Sequence, residues 1–229
     1  MNKINLTDDE LTFAALSQKA ANTKCLVLFA SGSGGNPERH LPLLEYLVEH
    51  ECDVIAPYFE RLVSPSPSSS DLLLRARKLK KTVDHFLDST LPVVGIGHSI
   101  GATLLLAMAG GQMWMQAGES LNISRDTHFK RLVLFTPPTG FFQAPNSLDG
   151  IQIPIQAWAG TLDSITPPSQ IELLRNILPA QVSLDLRVID GAGHFSFMNT
   201  LPPQIIDPMV TREAFLDNLS VEVSRFVLD

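Results

Sequence analysis

The sequence has few of the features that define several large classes of protein. Its 229 residues include only two cysteines, too few for a small disulfide-stabilised domain. Lys and Arg total 17 against 24 Asp and Glu, and a net charge of −7 argues against a nucleic-acid-binding protein, which needs a basic face. The first ten residues, MNKINLTDDE, end in three acidic side chains where a signal peptide has an apolar run. We therefore expect a cytoplasmic protein without a nucleic-acid partner.

Residues 91–111, LPVVGIGHSIGATLLLAMAGG, form a largely apolar stretch without a charged side chain. Its length of about 20 residues is that of a membrane span, but Pro92, two glycines and the polar pair His98-Ser99 interrupt it. A buried strand followed by a buried helix fits this pattern better, so no membrane partner is expected. The residues between them, GHSIG at 97–101, fit G-x-S-x-G, in which a serine occupies a sharp strand-to-helix turn.

Strands and helices are predicted to alternate along the rest of the chain. The strands are expected at 25–30, 53–56, 93–96, 131–135, 154–158 and 182–189, and the helices at 38–49, 71–88, 102–109, 168–178 and 208–227. This alternation predicts one three-layer α/β domain over residues 1–229, in which a mostly parallel sheet has helices on both faces. Residues 1–24 have two possible interpretations. Thr7-x-x-Glu10 fits a capping box that begins a helix, whereas the alternation of Leu11, Phe13 and Ala15 is typical of a strand.

Three smaller features have competing interpretations. The glycine-rich SGSGG at 31–35 is either a flexible connector or a loop whose backbone N–H groups face a site, and it lacks the Gly-Lys-Ser/Thr of a phosphate-binding loop. Ser70 is expected to cap the helix at 71–88, whose Arg75, Arg77, Lys78, Lys80 and Lys81 indicate a solvated face rather than a phosphate site. Cys25 and Cys52 are expected to be buried free thiols.

A serine becomes a nucleophile only when a base removes its proton, and that base needs an acid to orient it. Of six histidines, His194 alone lies in a glycine-rich loop, GAGHF, directly after the last predicted strand. Such loops lie at the carboxyl edge, where parallel sheets form their sites. Asp163 follows the preceding strand and is favoured over Asp190, which lies only four positions before His194. The predicted triad is Ser99, Asp163 and His194, in the chain order of the α/β-hydrolases.

Four motifs together resemble the α/β-hydrolase superfamily, and in particular the dienelactone-hydrolase-like group of small serine hydrolases: SGSGG at 31–35, GHSIG at 97–101, AGTLDSITPP at 159–168 and GAGHFSF at 191–197. The resemblance implies the α/β-hydrolase fold with a minimal cap. It also implies an oxyanion hole made by the backbone N–H of Ile100 and of a loop residue, Ser33 first and Gly34 second. Two departures are Ser31, where such families often have histidine, and Ser99, where dienelactone hydrolases proper have cysteine.

These features predict a serine hydrolase that cleaves an ester or related acyl bond of a small to medium soluble molecule. Phe141, Phe142 and Phe195 are expected to contact an apolar acyl or aromatic group. The spacing of His and Cys indicates no metal site, and the mechanism requires no cofactor. The alternatives are an acyl-thioesterase with the same triad and a non-catalytic binding protein on a hydrolase scaffold.

Overall fold

The computed structural model describes residues 1–8, 10–64, 66–87 and 90–229, and this part of the chain contains one eight-stranded sheet. The spatial order is β1-β2-β4-β3-β5-β6-β7-β8. The first two strands pair antiparallel, as do β2 and β4, whereas every pair from β4 to β8 is parallel. The strands are β1 Asn2–Asp8, β2 Leu11–Gln18, β3 Cys25–Ala30, β4 Cys52–Pro57, β5 Val93–His98, β6 Phe129–Phe135, β7 Ile155–Gly160 and β8 Leu184–Ile189.

Helices cover both faces of this sheet. They are α1 Leu41–Glu49, α2 Ser69–Phe86, α3 Ile100–Met108, α4 Ser169–Ile177 and α5 Arg212–Leu228, with short 3₁₀ turns at Pro37–His40 and Thr139–Phe142. One core packs α2, α3 and α4 against the sheet, and a second core packs α1 and α5 against its other face. The predicted three-layer α/β architecture is therefore confirmed. In the described residues, no helix is long and apolar enough to cross a membrane.

The described part of residues 1–24 contains two antiparallel strands rather than a helix. Strands β1 and β2 pair with each other, and β2 continues the sheet through β4. Alternation decides the outcome, because Phe13 and Ala15 point inward and are buried with Leu6. The strand interpretation of this segment was the right one of the two.

The basic helix α2 differs from the prediction in two respects. Its N-cap is Ser68 rather than Ser70, and Ser68 and Asp71 exchange side-chain and backbone hydrogen bonds in a capping box. Arg75 and Lys78 are buried, so the prediction of a solvated face was wrong for these two side chains. They are covered because α2 packs this side against the glycine loop and the segment after β4.

The two cysteines are buried free thiols, as predicted. They lie opposite each other at the start of the neighbouring strands β3 and β4, with 3.2 Å between the sulfur atoms. This end of the sheet is opposite the carboxyl edge at which the loops of the candidate site lie.

Two histidines are buried in the core behind the carboxyl edge. The His40 ring lies 4.7 Å from the Phe29 ring and 5.3 Å from the His98 ring, measured between centroids. Burial lowers the pKa of His40 to about 3, and burial followed by the nearby imidazoles of His194 and His40 lowers the pKa of His98 well below 6.5. Both rings are therefore neutral in the folded protein at pH 7.

These buried rings should make the free energy of unfolding depend on pH. The unfolded chain binds a proton at each histidine below about pH 6.5 while the folded protein does not, so stability is full above pH 6.5 and falls toward pH 3. Replacing His40 with Leu should reduce this slope by about 1.4 kcal/mol per pH unit between pH 6 and 4.5. Urea unfolding at several pH values measures the slope. The exposed His85→Leu variant is the control and should keep the wild-type slope; equal slopes for His40→Leu and wild type would contradict a neutral His40.

Candidate active site

Ser99 occupies a strained turn between β5 and α3. Its backbone has φ 54° and ψ −129°, a positive φ that non-glycine residues rarely adopt. Its N–H donates to the carbonyl oxygen of Phe135 at 2.8 Å, which fixes the turn to the neighbouring strand β6. Because α3 begins at the next residue, its first N–H groups have no partner within the helix and point toward the space beside Ser99.

The two glycines of the motif permit this turn by close packing. A Cβ atom at Gly97 would lie 2.6 Å from the backbone nitrogen and Cα of Ala102 in α3. A Cβ atom at Gly101 would overlap the backbone of Ala30 and Ser31, at the end of β3. Side chains at either position would push α3 away from the sheet, so both glycines are needed to hold Ser99 in place.

Asp163 and His194 form a hydrogen-bonded pair at the carboxyl edge of the sheet. The Asp163 Oδ2 and His194 Nδ1 atoms are 2.8 Å apart, and both side chains are almost fully buried. The Thr166 hydroxyl donates to Asp163 Oδ2 at 2.7 Å and lies 2.9 Å from His194 Nδ1. The backbone N–H groups of Ile165 and Thr166 donate to Asp163 Oδ1, each at 2.8 Å. Both carboxylate oxygens are thus held by donors.

These donors determine the charge of the acid. Burial works to raise the pKa of Asp163, but the bonds and positive charge of His194 and the bonds from Thr166 outweigh it and lower the pKa below its usual value. Asp163 is therefore a carboxylate at neutral pH. It can accept a hydrogen bond from the Nδ1–H of His194. A neutral imidazole in this tautomer presents its other nitrogen, Nε2, as a base.

The rival acid lies elsewhere. Asp190 is exposed and accepts from the Thr161 hydroxyl at 3.1 Å. The loop that carries His194 is held instead by Asp207, whose carboxylate accepts from the Ser196 hydroxyl at 2.8 Å while Ser196 Oγ accepts from the Gly193 N–H. His98 adds a further contact, with its Nε2 3.0 Å from the His194 carbonyl oxygen. His98, the residue before Ser99, therefore contacts the backbone of His194.

The glycine loop lies directly beside the turn that carries the serine. A Cβ atom at Gly32 would be 3.2 Å from the Cβ of Ser99. Ser33 and Gly34, the two residues predicted for the oxyanion hole together with Ile100, are exposed. The backbone carbonyls of Gly32 and Ser33 accept hydrogen bonds from Arg75, so this loop is held by a buried side chain and is not a free connector.

The three phenylalanines predicted to contact substrate have different surroundings. Phe142 is fully buried in the core that contains α3, so that part of the prediction was wrong; the 3₁₀ turn at Thr139–Phe142 points its last side chain inward. Phe141 lines a groove, and the Phe195 ring, half-buried, meets the His194 ring edge to face at a centroid distance of 5.1 Å.

The groove has a volume of about 540 Å³ and reaches Thr166, the residue that touches both Asp163 and His194. None of the described residues that line it is charged. Its wall is formed mainly by the apolar side chains and amides of Trp114, Met115, Phe141, Ile165, Gln143 and Gln170.

Sequence reasoning missed three residues around this site. Thr166 follows Asp163 by three positions in D-x-x-T, the spacing at which a threonine can donate both its N–H and its hydroxyl to a carboxylate. Gln170 accepts from the N–H groups of Thr139 and Gly140 through Oε1, and no local pattern indicates that long-range contact. Arg75 was hidden among the other basic residues of α2.

No protein-family model and no curated protein matches the sequence. Solved structures do match the fold over nearly the whole chain. A dienelactone hydrolase from Anabaena variabilis superposes with a TM-score of 0.70 at 18% identity, covering 98% of this chain and 94% of its own. A Thermogutta terrifontis esterase with bound butyrate superposes with a TM-score of 0.67 at 14% identity, covering 96% of this chain and 90% of its own. Mouse α/β-hydrolase domain-containing protein 10 superposes with a TM-score of 0.68 at 11% identity, covering 99% of this chain and 100% of its own.

These likenesses agree with the mostly parallel sheet covered by helices on both faces. The resemblance predicted from the four sequence motifs is confirmed at the level of the fold. This chain has the α/β-hydrolase fold.

Proposed function

We propose that the protein is a serine hydrolase that cleaves a carboxylic ester or related acyl bond through an acyl-enzyme on Ser99. The observation that carries the proposal is the 2.8 Å bond between His194 and Asp163 at the same sheet edge as the strained Ser99 turn. Hydrolases and esterases among the structural neighbours support this class of reaction. Such chemistry requires a serine, an imidazole that removes its proton and a buried acid that orients the imidazole.

In the proposed mechanism, His194 Nε2 takes the proton from Ser99 Oγ as that oxygen attacks the acyl carbon. Asp163 holds the imidazole through Nδ1–H and stabilises the positive charge that forms on it. The carbonyl oxygen of the substrate becomes an oxyanion, for which we assign the N–H of Ile100 and that of Ser33, with Gly34 as second choice. His194 then returns the proton to the leaving alcohol, and water hydrolyses the acyl-enzyme by the same two steps.

The groove beside Thr166 is proposed to hold an uncharged part of the substrate. Its apolar wall of Trp114, Met115 and Phe141 provides contact with a hydrocarbon or aromatic group, and its glutamine amides suit a neutral polar group. A charged group would lose its water here without an opposite charge to replace it. The substrate is thus proposed to be a small to medium neutral acyl compound.

The first prediction is that Ser99 is the nucleophile. A fluorophosphonate should add to the Ser99 peptide of the wild type, as shown by intact-protein and peptide mass spectrometry, and no adduct should form on Ser99→Ala. Ser33→Ala is the matched control, because it removes a hydroxyl from the same site but leaves the backbone N–H, and it should still be labelled on Ser99.

Three outcomes separate the proposed function from its alternatives. Labelling of the wild type with faster turnover of acyl esters than of acyl-thioesters supports an esterase, whereas the reverse preference indicates a thioesterase. A folded wild-type protein that takes up no label would contradict the hydrolase proposal and indicate a binding protein on this scaffold.

The second prediction concerns the Thr166 hydroxyl. Thr166→Val removes the bond to Asp163 Oδ2 with little change in volume, and a hydrogen bond to a charged group is worth about 1.5–3 kcal/mol. We expect kcat to fall about tenfold with KM nearly unchanged, and Thr166→Ser to restore most of the loss. Steady-state kinetics on a soluble ester measures both constants. Thr161→Val, which removes the corresponding hydroxyl from the rival Asp190, should leave kcat unchanged.

The third prediction tests the groove. Ala144 lines it, so Ala144→Phe should fill part of its volume and reduce kcat/KM for a hexanoyl or phenylacetyl ester by about tenfold. An acetyl ester, which does not need the groove, should be cleaved within about threefold of the wild-type rate. Ala180→Phe adds the same ring at an exposed position outside the groove and is the control. An equal loss on acetyl and hexanoyl esters would show that the groove does not hold the acyl group.

A further inference from the structure

Arg75 is an unusual residue for the interior of an α/β protein. It is 2% exposed, although it lies on a helix rich in solvated charges. Its guanidinium lies over the Phe59 ring, 4.8 Å from the centroid. The hydrogen bonds described for it all end on backbone carbonyl oxygens: Nη1 donates to Gly32 at 2.9 Å, and Nη2 donates to Ser33 at 3.0 Å and to Glu60 at 2.6 Å.

Two of those carbonyls belong to consecutive peptide groups of the glycine loop. A trans peptide is planar, with its C=O and N–H pointing in opposite directions, and the described chain contains no cis peptide. The Gly32 carbonyl shares its peptide group with the Ser33 N–H, and the Ser33 carbonyl shares its group with the Gly34 N–H. When both carbonyls turn toward Arg75, both N–H groups turn to the opposite side of the loop.

The glycine loop lies next to the serine. A Cβ atom at Gly32 would be 3.2 Å from the Cβ of Ser99, and Ser33 and Gly34 are exposed rather than packed into the core. The loop is also fixed from the segment after β4, since the Leu62 N–H donates to the Ser33 carbonyl at 2.9 Å and the Phe59 N–H donates to the Gly35 carbonyl at 2.9 Å. Arg75 thus contributes the charged part of a larger set of bonds that define the orientation of these peptide groups.

The charge of Arg75 adds to its geometric effect. Burial lowers the pKa of Arg75 to about 10, which leaves the guanidinium protonated at neutral pH. A positive charge bonded to a peptide carbonyl polarises that peptide and strengthens its N–H as a donor. An anion bound by the N–H groups of these peptides would also lie within the field of the guanidinium, since its charge is bonded to the same peptide groups.

We propose that Arg75 is a positioning residue for the oxyanion hole, holding the Gly32 and Ser33 carbonyls so that the Ser33 and Gly34 N–H groups face the acyl carbonyl at Ser99. This inference rests on the proposed serine hydrolase function. The inference adds a role for a residue outside the triad. Arg75, a buried cation on α2 that does not touch the substrate, preorganises the oxyanion hole. Preorganised donors act on the transition state more than on the bound substrate.

The test compares Arg75→Met with Lys78→Met. Lys78 is the matched control because it is an equally buried cation one turn later on α2, and it bonds the Glu60 carboxylate at 2.7 and 2.8 Å rather than the glycine loop. We expect Arg75→Met to lower kcat for a soluble ester about 100-fold with KM within about twofold. Lys78→Met should keep kcat within about threefold of wild type. Arg75→Lys, whose single ammonium cannot span both carbonyls, should be intermediate.

Two further measurements distinguish positioning from a general loss of structure. Affinity for a boronic acid, which forms a tetrahedral anion on the serine, should fall with kcat in Arg75→Met. Guanidinium at about 20 mM should restore part of the kcat of Arg75→Ala, while the neutral isostere urea at the same concentration should not. A folded Arg75→Met with wild-type kcat, or an equal loss in Lys78→Met, would overturn the proposal.

A separate readout keeps this inference distinguishable from the proposed function. Hydrogen exchange of the peptide that contains residues 31–35 should become faster in Arg75→Met and stay unchanged in Lys78→Met. If wild-type protein takes up no fluorophosphonate, the serine hydrolase proposal fails, and the assignment to an oxyanion hole fails with it, even where exchange shows that Arg75 holds the loop. If wild type is labelled and exchange at 31–35 is the same in all variants, only the role of Arg75 fails.

Discussion

The close packing of α3 against β3 and β5 is the constraint on which the candidate site depends. It exists because Gly97 and Gly101 carry no side chain where backbone atoms of Ala102, Ala30 and Ser31 approach. That approach forces the positive φ of Ser99 and sets the start of α3 beside its hydroxyl. It also brings the end of β3, and with it the glycine loop, into contact with the serine. A single steric requirement therefore fixes two components of the site at once.

The rest of the site is stabilised by carboxylates and carbonyls whose lone pairs are filled by nearby donors. Asp163 receives two backbone N–H groups and a hydroxyl in addition to His194, and Asp207 holds the loop on which His194 lies. Thr136, at the end of β6, adopts φ 47° and turns its carbonyl to the Thr166 hydroxyl at 3.2 Å. Strain at two residues, Ser99 and Thr136, is thus found where the chain must direct polar groups to one point.

Charge is distributed unevenly around this edge of the sheet. The groove beside Thr166 is lined by neutral groups, whereas the carbonyls of the glycine loop are bonded by the buried cation Arg75. Behind the serine, His40 and His98 add polar rings that burial keeps neutral. In the proposed mechanism, a developing anion at Ser99 would therefore lie between a neutral groove and the buried guanidinium of Arg75.

The sequence by itself determined the alternation of strands and helices, the serine turn and the two loops that carry Asp163 and His194, because hydrophobic periodicity and glycine spacing are local properties. It also favoured Asp163 over Asp190 as the partner of His194, because Asp190 lies only four positions before His194, and the structure bonds Asp163 to His194. Tertiary structure alone decided which residues of α2 are buried, why Phe142 faces the core, and how Thr166 and Gln170 bond across distant segments. These outcomes depend on which elements meet in space. Parallel strands bring together residues that are far apart along the chain, and no local sequence pattern indicates such contacts.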